Sequence, residues 1–180
     1  VYDVASETPL DPAPRLSQKL SNNILIKRED LPPVFSFKLR GAYNKLFHLT
    51  KSQQAMGVIA ASAGNHAQGV ALAASKLNIM STIVMPETTP EIKVDGVRKF
   101  GADVILFGDD FSAAFAKANQ IATQKSLVFI PPFDDPLVIA GQGTIGIDST
   151  NTHKSRYRFC PNFELHNTSG GCGGPPIPQL

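Results

Sequence analysis

Two segments of this sequence hold residue types at spacings that could do chemistry. The first is Phe35-Ser36-Phe37-Lys38-Leu39-Arg40-Gly41, where a lysine follows the break Pro32-Pro33 and opens a helical pattern. A lysine amine packed among aromatic rings is poorly solvated. Such an amine is a nucleophile that can form a Schiff base with a carbonyl compound. Taken alone, Lys38 also fits an ordinary surface lysine, since the residue is common. The second segment is Ser62-Ala63-Gly64-Asn65-His66-Ala67-Gln68-Gly69, which follows the apolar run Val58-Ile59-Ala60 and opens another helix. Small residues let a ligand approach the backbone. The N–H groups and dipole of a helix start favour an anion, here a carboxylate or phosphate. The alternative is a helix capped by Ser62 or Asn65, with His66 in solvent and no ligand.

Other constellations carry less. Gly141-Gln142-Gly143-Thr144 reads as a close helix packing contact rather than a dinucleotide fingerprint. His48, His66, His153 and His166 show no metal-ligand spacing. Cys160 and Cys172 lack the C-x-x-C pattern of zinc sites, so no metal is expected. Gly170–Gly174 resembles a glycine loop in composition only, without a strand before it or a helix after it.

The elements around these segments alternate. Short apolar runs at Ile24–Ile26, Val58–Ala60, Thr82–Met85, Val104–Phe107 and Leu127–Ile130 read as strands. A short helix over Arg15–Leu20 fits the turn-rich start. Helical periodicity marks Lys38–Leu49, Asn65–Leu77, Pro90–Phe100, Phe111–Ala122 and Pro136–Ile147. Thr50-Lys51-Ser52-Gln53 fits a capping box for a further short turn. Strands that are apolar at consecutive positions must be buried on both faces. The fold class predicted is therefore α/β, a parallel sheet flanked by helices. In such sheets ligands bind at the carboxyl ends of strands, which is where the Ser62–Gly69 segment lies.

Composition sets bounds. The 180 residues are 42% hydrophobic and 18% charged, as in globular proteins rather than disordered ones. A net charge of +2, with scattered basic residues, gives no footprint for nucleic acid. No apolar run approaches the roughly 18 residues that span a bilayer, and no signal peptide is visible, so no membrane partner is expected. Two cysteines do not make a disulfide framework, and a reducing, cytoplasmic setting is expected.

Taken together, the segments resemble a known family. Lys27-Arg28-Glu29-Asp30, followed by Pro33-Val34-Phe35-Ser36-Phe37-Lys38-Leu39-Arg40-Gly41-Ala42, looks like the cofactor-lysine motif of threonine dehydratases. These are fold-type II pyridoxal 5'-phosphate enzymes, with a fold like that of the tryptophan synthase β subunit. Ser62–Gly69 matches their substrate and cofactor loop. Val84-Met85-Pro86, Pro90–Lys93, Pro131–Asp134 and Ile139–Thr144 fit in the same order, so the match runs from about Tyr2 to Ile147. Serine racemases and serine/threonine dehydratases share the lysine and the asparagine loop.

The resemblance implies roles. Lys38 would hold the cofactor as a Schiff base and accept the α-proton of an amino-acid substrate. Phe37 would pack beside the ring and Asn65 would bond its 3′-oxygen. Ser62, Ala63, Gly64 and His66 would line the carboxylate pocket. The implied reaction converts L-threonine to 2-oxobutanoate and ammonia, and the family is homo-oligomeric. The resemblance also implies residues 1–41 as part of a large cofactor domain and 42–147 as a small domain, with 148–180 a divergent, disordered tail. The family's tetraglycine phosphate loop and the partner of its pyridine nitrogen are not recognisable. The expectation is therefore an incomplete, truncated N-terminal portion, arising by truncation, frameshift or chimerism. As given it is expected to be inactive, a non-catalytic remnant or pseudogene product being the alternative.

Overall fold

The computed structural model describes residues 1–152. Cys160, Cys172, His153, His166, Gly170–Gly174 and nearly all of the expected tail lie outside the described residues. The chain opens with two short strands, β1 (Leu10–Pro12) and β2 (Leu25–Lys27), paired antiparallel with Leu10 opposite Lys27. Between them α1 (Pro14–Lys19) starts on a proline, where the missing N–H has no intrahelical partner to lose. Sequence pattern does not reveal β1. Its three residues end on Pro12, tolerated because a two-stranded ribbon is all edge.

Next come α2 (Lys38–Phe47) and α3 (Lys51–Met56). The expected capping box is present: Gln53 N donates to Thr50 Oγ1, and Thr50 N donates to Gln53 Oε1. Then the alternation begins with β3 (Val58–Ala61), α4 (Asn65–Leu77) and β4 (Ser81–Met85). It continues with α5 (Glu91–Arg98), β5 (Asp103–Leu106), α6 (Phe111–Lys125), β6 (Val128–Phe129) and α7 (Pro136–Thr152). The last four strands form a parallel sheet in the order β5-β4-β3-β6.

Side-chain alternation along β3 and β4 assigns the two faces. Val58, Ala60, Ile83 and Met85 join the core that includes Leu39 and Leu46 of α2, Val70 and Ala71 of α4, and Val94 of α5. Ile59, Ala61 and Val84 turn the other way and pack on Ala114, Ala118 and Ile121 of α6. Burial on both faces holds for the two central strands. The edge strands β5 and β6 are half-buried or exposed, because each has one neighbour only.

Several helix boundaries differ from the sequence reading, those of α5 and α7 most clearly. Pro90 is the N-cap of α5, with extended backbone, and the helix ends at Arg98 rather than Phe100. α7 runs five residues past Ile147, through the polar stretch that starts at Ser149. Ser149 Oγ donates to Ile145 O at 2.7 Å and Thr150 Oγ1 to Ile147 O at 2.9 Å, so these hydroxyls bond to the helix's own carbonyls instead of breaking it.

α7 crosses α2 at two glycines. A Cβ on Gly141 would lie 2.6 Å from Arg40 O and 2.7 Å from Gly41 Cα, which are backbone atoms that cannot swing aside. The packing reading of Gly141 is thus the one the structure has. Gly141→Ala is expected to destabilise the fold by about 1–3 kcal/mol through overpacking. Gly143→Ala, two residues on and with open space around it, should instead stabilise by about 0.5–1 kcal/mol through reduced backbone freedom. Paired urea titrations check the contrast.

The same crossing buries a polar cluster. Arg40 is 0% exposed and forms a two-pronged pair with Glu29, Nε to Oε2 at 2.8 Å and Nη2 to Oε1 at 2.9 Å. Its Nη2 also lies 2.8 Å from Asp148 Oδ2, while Nη1 donates to Thr144 Oγ1 at 3.1 Å. Tyr2 Oη donates to Asp148 Oδ1 at 2.5 Å, and Lys27 Nζ stands 3.7 Å from Oδ2. Burial works to lower the pKa of Arg40, yet bonding and charge from Glu29 and Asp148 leave it above the ordinary arginine value. The hydrogen bond to Asp148 pushes the Tyr2 phenol up to about 12. The N-terminal segment, α2 and α7 are joined through this one guanidinium.

Candidate active site

The strand order places a switch point between β3 and β6. From β3 the chain moves outward to β4 and β5, then returns on the opposite side of β3 as β6. Loops leaving β3 and β6 at their carboxyl ends therefore diverge and leave a crevice. Those loops are Ser62–Gly64 and Pro131–Asp135.

The first loop continues the sheet and then turns into α4. Ser62 N donates to Val84 O at 3.1 Å, and Gly64 N donates to Ser62 Oγ at 3.2 Å. Gly64 is the N-cap, and no side chain caps the helix there. A Cβ at Gly64 would meet nothing within 4 Å, so the loop is open in front of it. Neither Ser62 nor Asn65 acts as the helix cap, and His66 is 4% exposed rather than in solvent. Its Nε2 bonds to Ile130 O at 3.0 Å; facing a carbonyl, that nitrogen carries the proton. Asn65, the first residue of α4, is exposed.

α2 brings Lys38 to the same crevice. The turn before it is tight. Phe35 sits at φ +52°, a left-handed conformation that a bulky side chain rarely adopts, and its ring is 76% exposed. Ser36 is buried and its Oγ accepts from Lys38 N at 3.2 Å. Phe37 and Lys38 are half-buried, with Lys38 Nζ 5.4 Å from the centre of the Phe37 ring. The start of α2 rests on α4 at Gly69, one turn beyond Asn65. A Cβ there would lie 3.1 Å from both Lys38 C and Leu39 N. Only a glycine gives this approach without displacing α2. Lys38 and the Ser62–Gly69 segment, separated in sequence, are thus two walls of one site.

The Pro131–Asp135 loop forms a third wall. Lys38 Nζ donates to Pro132 O at 3.2 Å. Asp135 Oδ1 accepts from Leu137 N at 2.9 Å and Val138 N at 3.2 Å, capping α7. Its Oδ2 pairs with Lys45 Nζ at 2.7 Å. Burial alone would raise the carboxyl pKa, but Lys45 and the two amides hold it below the usual range. Sequence reading included Pro131–Asp134 in the family match but gave no role to this loop's carbonyls or to Asp135. Backbone carbonyls leave no mark in a sequence, although Asp135-Pro136 before an apolar run is a helix-start signal that points to the cap. Among the described residues no group of acidic, His and Cys side chains could hold a metal ion, and no helix is long and apolar enough to cross a membrane.

A half-buried lysine at the head of a helix, beside a strand–helix turn at a parallel-sheet switch point, places an amine where a carbonyl compound has room to bind. The chain belongs to the pyridoxal-phosphate dependent enzymes, whose family pattern it matches over residues 1–161. Within that family it is 58% identical over 148 residues to the L-threonine dehydratase biosynthetic IlvA of Haemophilus influenzae, covering 82% of this chain and 29% of that protein. Its structure is similar to the processed form of threonine deaminase isoform 2 from Solanum lycopersicum, with TM-score 0.82 at 55% identity over 85% of this chain and 42% of that one. It is also similar to maize serine racemase, with TM-score 0.77 at 29% identity over 81% of this chain and 44% of that one. The chain spans less than a third of the curated relative's length.

The described residues fit the reactive end of pyridoxal phosphate. An aldehyde needs an amine, supplied by Lys38. The bare Gly69 lets that amine's backbone sit against α4, and the open face at Gly64 leaves room for a ligand.

Proposed function

We propose that the protein deaminates L-threonine to 2-oxobutanoate and ammonia, the water lost by β-elimination being taken back when the resulting enamine hydrolyses. The observation that carries this reading is the approach of Lys38 to Gly69, which unites the lysine with the amide loop in one crevice. When bound, pyridoxal phosphate supplies an electron-withdrawing ring that stabilises negative charge at the substrate α-carbon. Lys38 Nζ would hold the cofactor, and as a free amine it would accept the proton of the substrate α-carbon. Phe37 would pack beside the ring, and Asn65 would bond its 3′-oxygen. Ser62, Ala63, Gly64 and His66 receive the substrate carboxylate at the start of α4, where the helix dipole favours an anion. His66 serves this wall through its bond to Ile130 O, which anchors the first turn of α4 to the end of β6.

In the same reading, residues 1–41 belong with a larger cofactor domain and 42–147 form the small domain. The full-length protein is assigned as a cytoplasmic homo-oligomer that acts on free amino acids and binds no nucleic acid. Sedimentation and cell fractionation test the oligomer and the compartment. The reaction is tested with the protein produced from its own gene, supplied with pyridoxal phosphate and either L-threonine or L-serine. The expected product of the full-length protein is 2-oxobutanoate from threonine, faster than pyruvate from serine, whereas the 180-residue chain alone is expected to form neither. Pyruvate alone, or D-serine from L-serine, would move the assignment to a serine dehydratase or racemase. Neither keto acid, with Lys38 still capturing cofactor, would make the chain a non-catalytic binder.

A further inference from the structure

The Pro131–Asp135 loop is held at both ends. At its start, His66 Nε2 donates to Ile130 O at 3.0 Å. At its end, Asp135 divides its two oxygens, Oδ1 capping α7 and Oδ2 pairing with Lys45. Asn44 Nδ2 adds a bond to Leu137 O at 2.7 Å. Between the two pins lies Pro132 O, which receives the Lys38 amine. Lys38 and Lys45 stand on one helix, two turns apart, and grip the same loop from opposite ends. A lysine amine at the end of four rotatable bonds is poorly localised unless something holds it. Here the loop supplies the acceptor, and α2 supplies, through Lys45, the charge that fixes the loop.

We infer that Pro132 O is the seat of the free Lys38 amine and that Asp135 and Lys45 are positioning residues that hold this seat in place. The inference deepens the reading of Lys38 as the cofactor lysine and rests on it. Asp135 acts at a distance from the reacting atoms, since its carboxylate bonds Lys45 and the α7 amides. The two jobs of its carboxylate separate by substitution. Asp135→Asn keeps an oxygen for the cap, as asparagine caps nearly as well as aspartate. It loses the charge that attracts Lys45. Lys45→Met removes the same link from the other side and leaves the cap untouched. Lys45→Arg restores the charge.

The test is competitive acetylation of the full chain without cofactor, using a trace of N-hydroxysuccinimidyl acetate and peptide mapping. Exposed Lys51 and Lys76 serve as internal references. Loss of about one hydrogen bond's restraint corresponds to roughly fivefold. Lys38 should therefore acetylate about fivefold faster relative to the references in Lys45→Met and Asp135→Asn, with Lys45→Arg returning toward the original ratio. An unchanged Lys38 ratio in Lys45→Met overturns the inference, and so does a parallel rise at Lys38, Lys51 and Lys76, which would signal general loosening. If Asp135→Asn does not fold, the Lys45 pair still decides. Because acetylation needs no cofactor, its outcome is separate from the cofactor reading. Borohydride trapping of pyridoxal phosphate on the unsubstituted chain tests that reading alone.

Discussion

Lys38→Ala is expected to abolish specific covalent capture of pyridoxal phosphate. The unsubstituted chain, mixed with the cofactor and reduced with borohydride, should retain a pyridoxyl group that withstands denaturation. The variant should retain only the background reached by exposed lysines such as Lys51 and Lys76. The effect is large because nothing else in the crevice can replace the amine. His66 is buried and committed to Ile130 O, and Lys45 is paired with Asp135. The fold should survive the change, since Lys38 is only half-buried and its side-chain amine makes one bond, to Pro132 O. Unchanged far-ultraviolet circular dichroism with lost capture is the expected pair of results. Capture at the original level in Lys38→Ala would remove the lysine from the mechanism.

Arg40→Ala should produce the largest loss of stability among single substitutions in α2. The guanidinium is fully buried between Glu29 and Asp148, whose own side chain is 0% exposed. Removing one member of such a cluster leaves carboxylates facing each other in a poorly solvated space, a cost of about 3–5 kcal/mol. Denaturant titration should show the midpoint falling accordingly. Arg40→Ala combined with Asp148→Ala should lose less than the sum of the two single changes, because the charge stranded by the first has been removed. Strict additivity would mean that the pair is not coupled. Because the cluster ties the N-terminal segment to both α2 and α7, loss of Arg40 should also loosen the end of α2 that carries Lys38.

Much of the architecture was legible because local pattern and tertiary structure agree. The consecutive apolar residues of Val58–Ala61 and Ile83–Met85 need two covered faces, and α4 and α6 cover them. The Thr50–Gln53 capping box formed as its residue types require. The join between Lys38 and the Ser62–Gly69 segment was legible through family resemblance. Its physical cause, the bare Cα of Gly69, shows only in three dimensions. Three features were not read from local pattern. β1 is too short and too proline-rich to show alternation. The continuation of α7 depends on hydroxyls folding back onto their own helix. The third wall of the site presents backbone carbonyls, and Asp135 links it to a lysine ninety residues earlier in the chain.

The central claim is that Lys38 is the cofactor lysine of a crevice it shares with the Ser62–Gly69 loop. Its most direct test is a peptide map of the full chain after limiting pyridoxal phosphate and borohydride. Most of the pyridoxyl label should lie on the peptide carrying Lys38, and it should shift to the exposed lysines when Gly69 is replaced by valine, whose side chain would push the start of α2 away. A label spread evenly over Lys38, Lys51 and Lys76 in the unsubstituted chain would contradict the account.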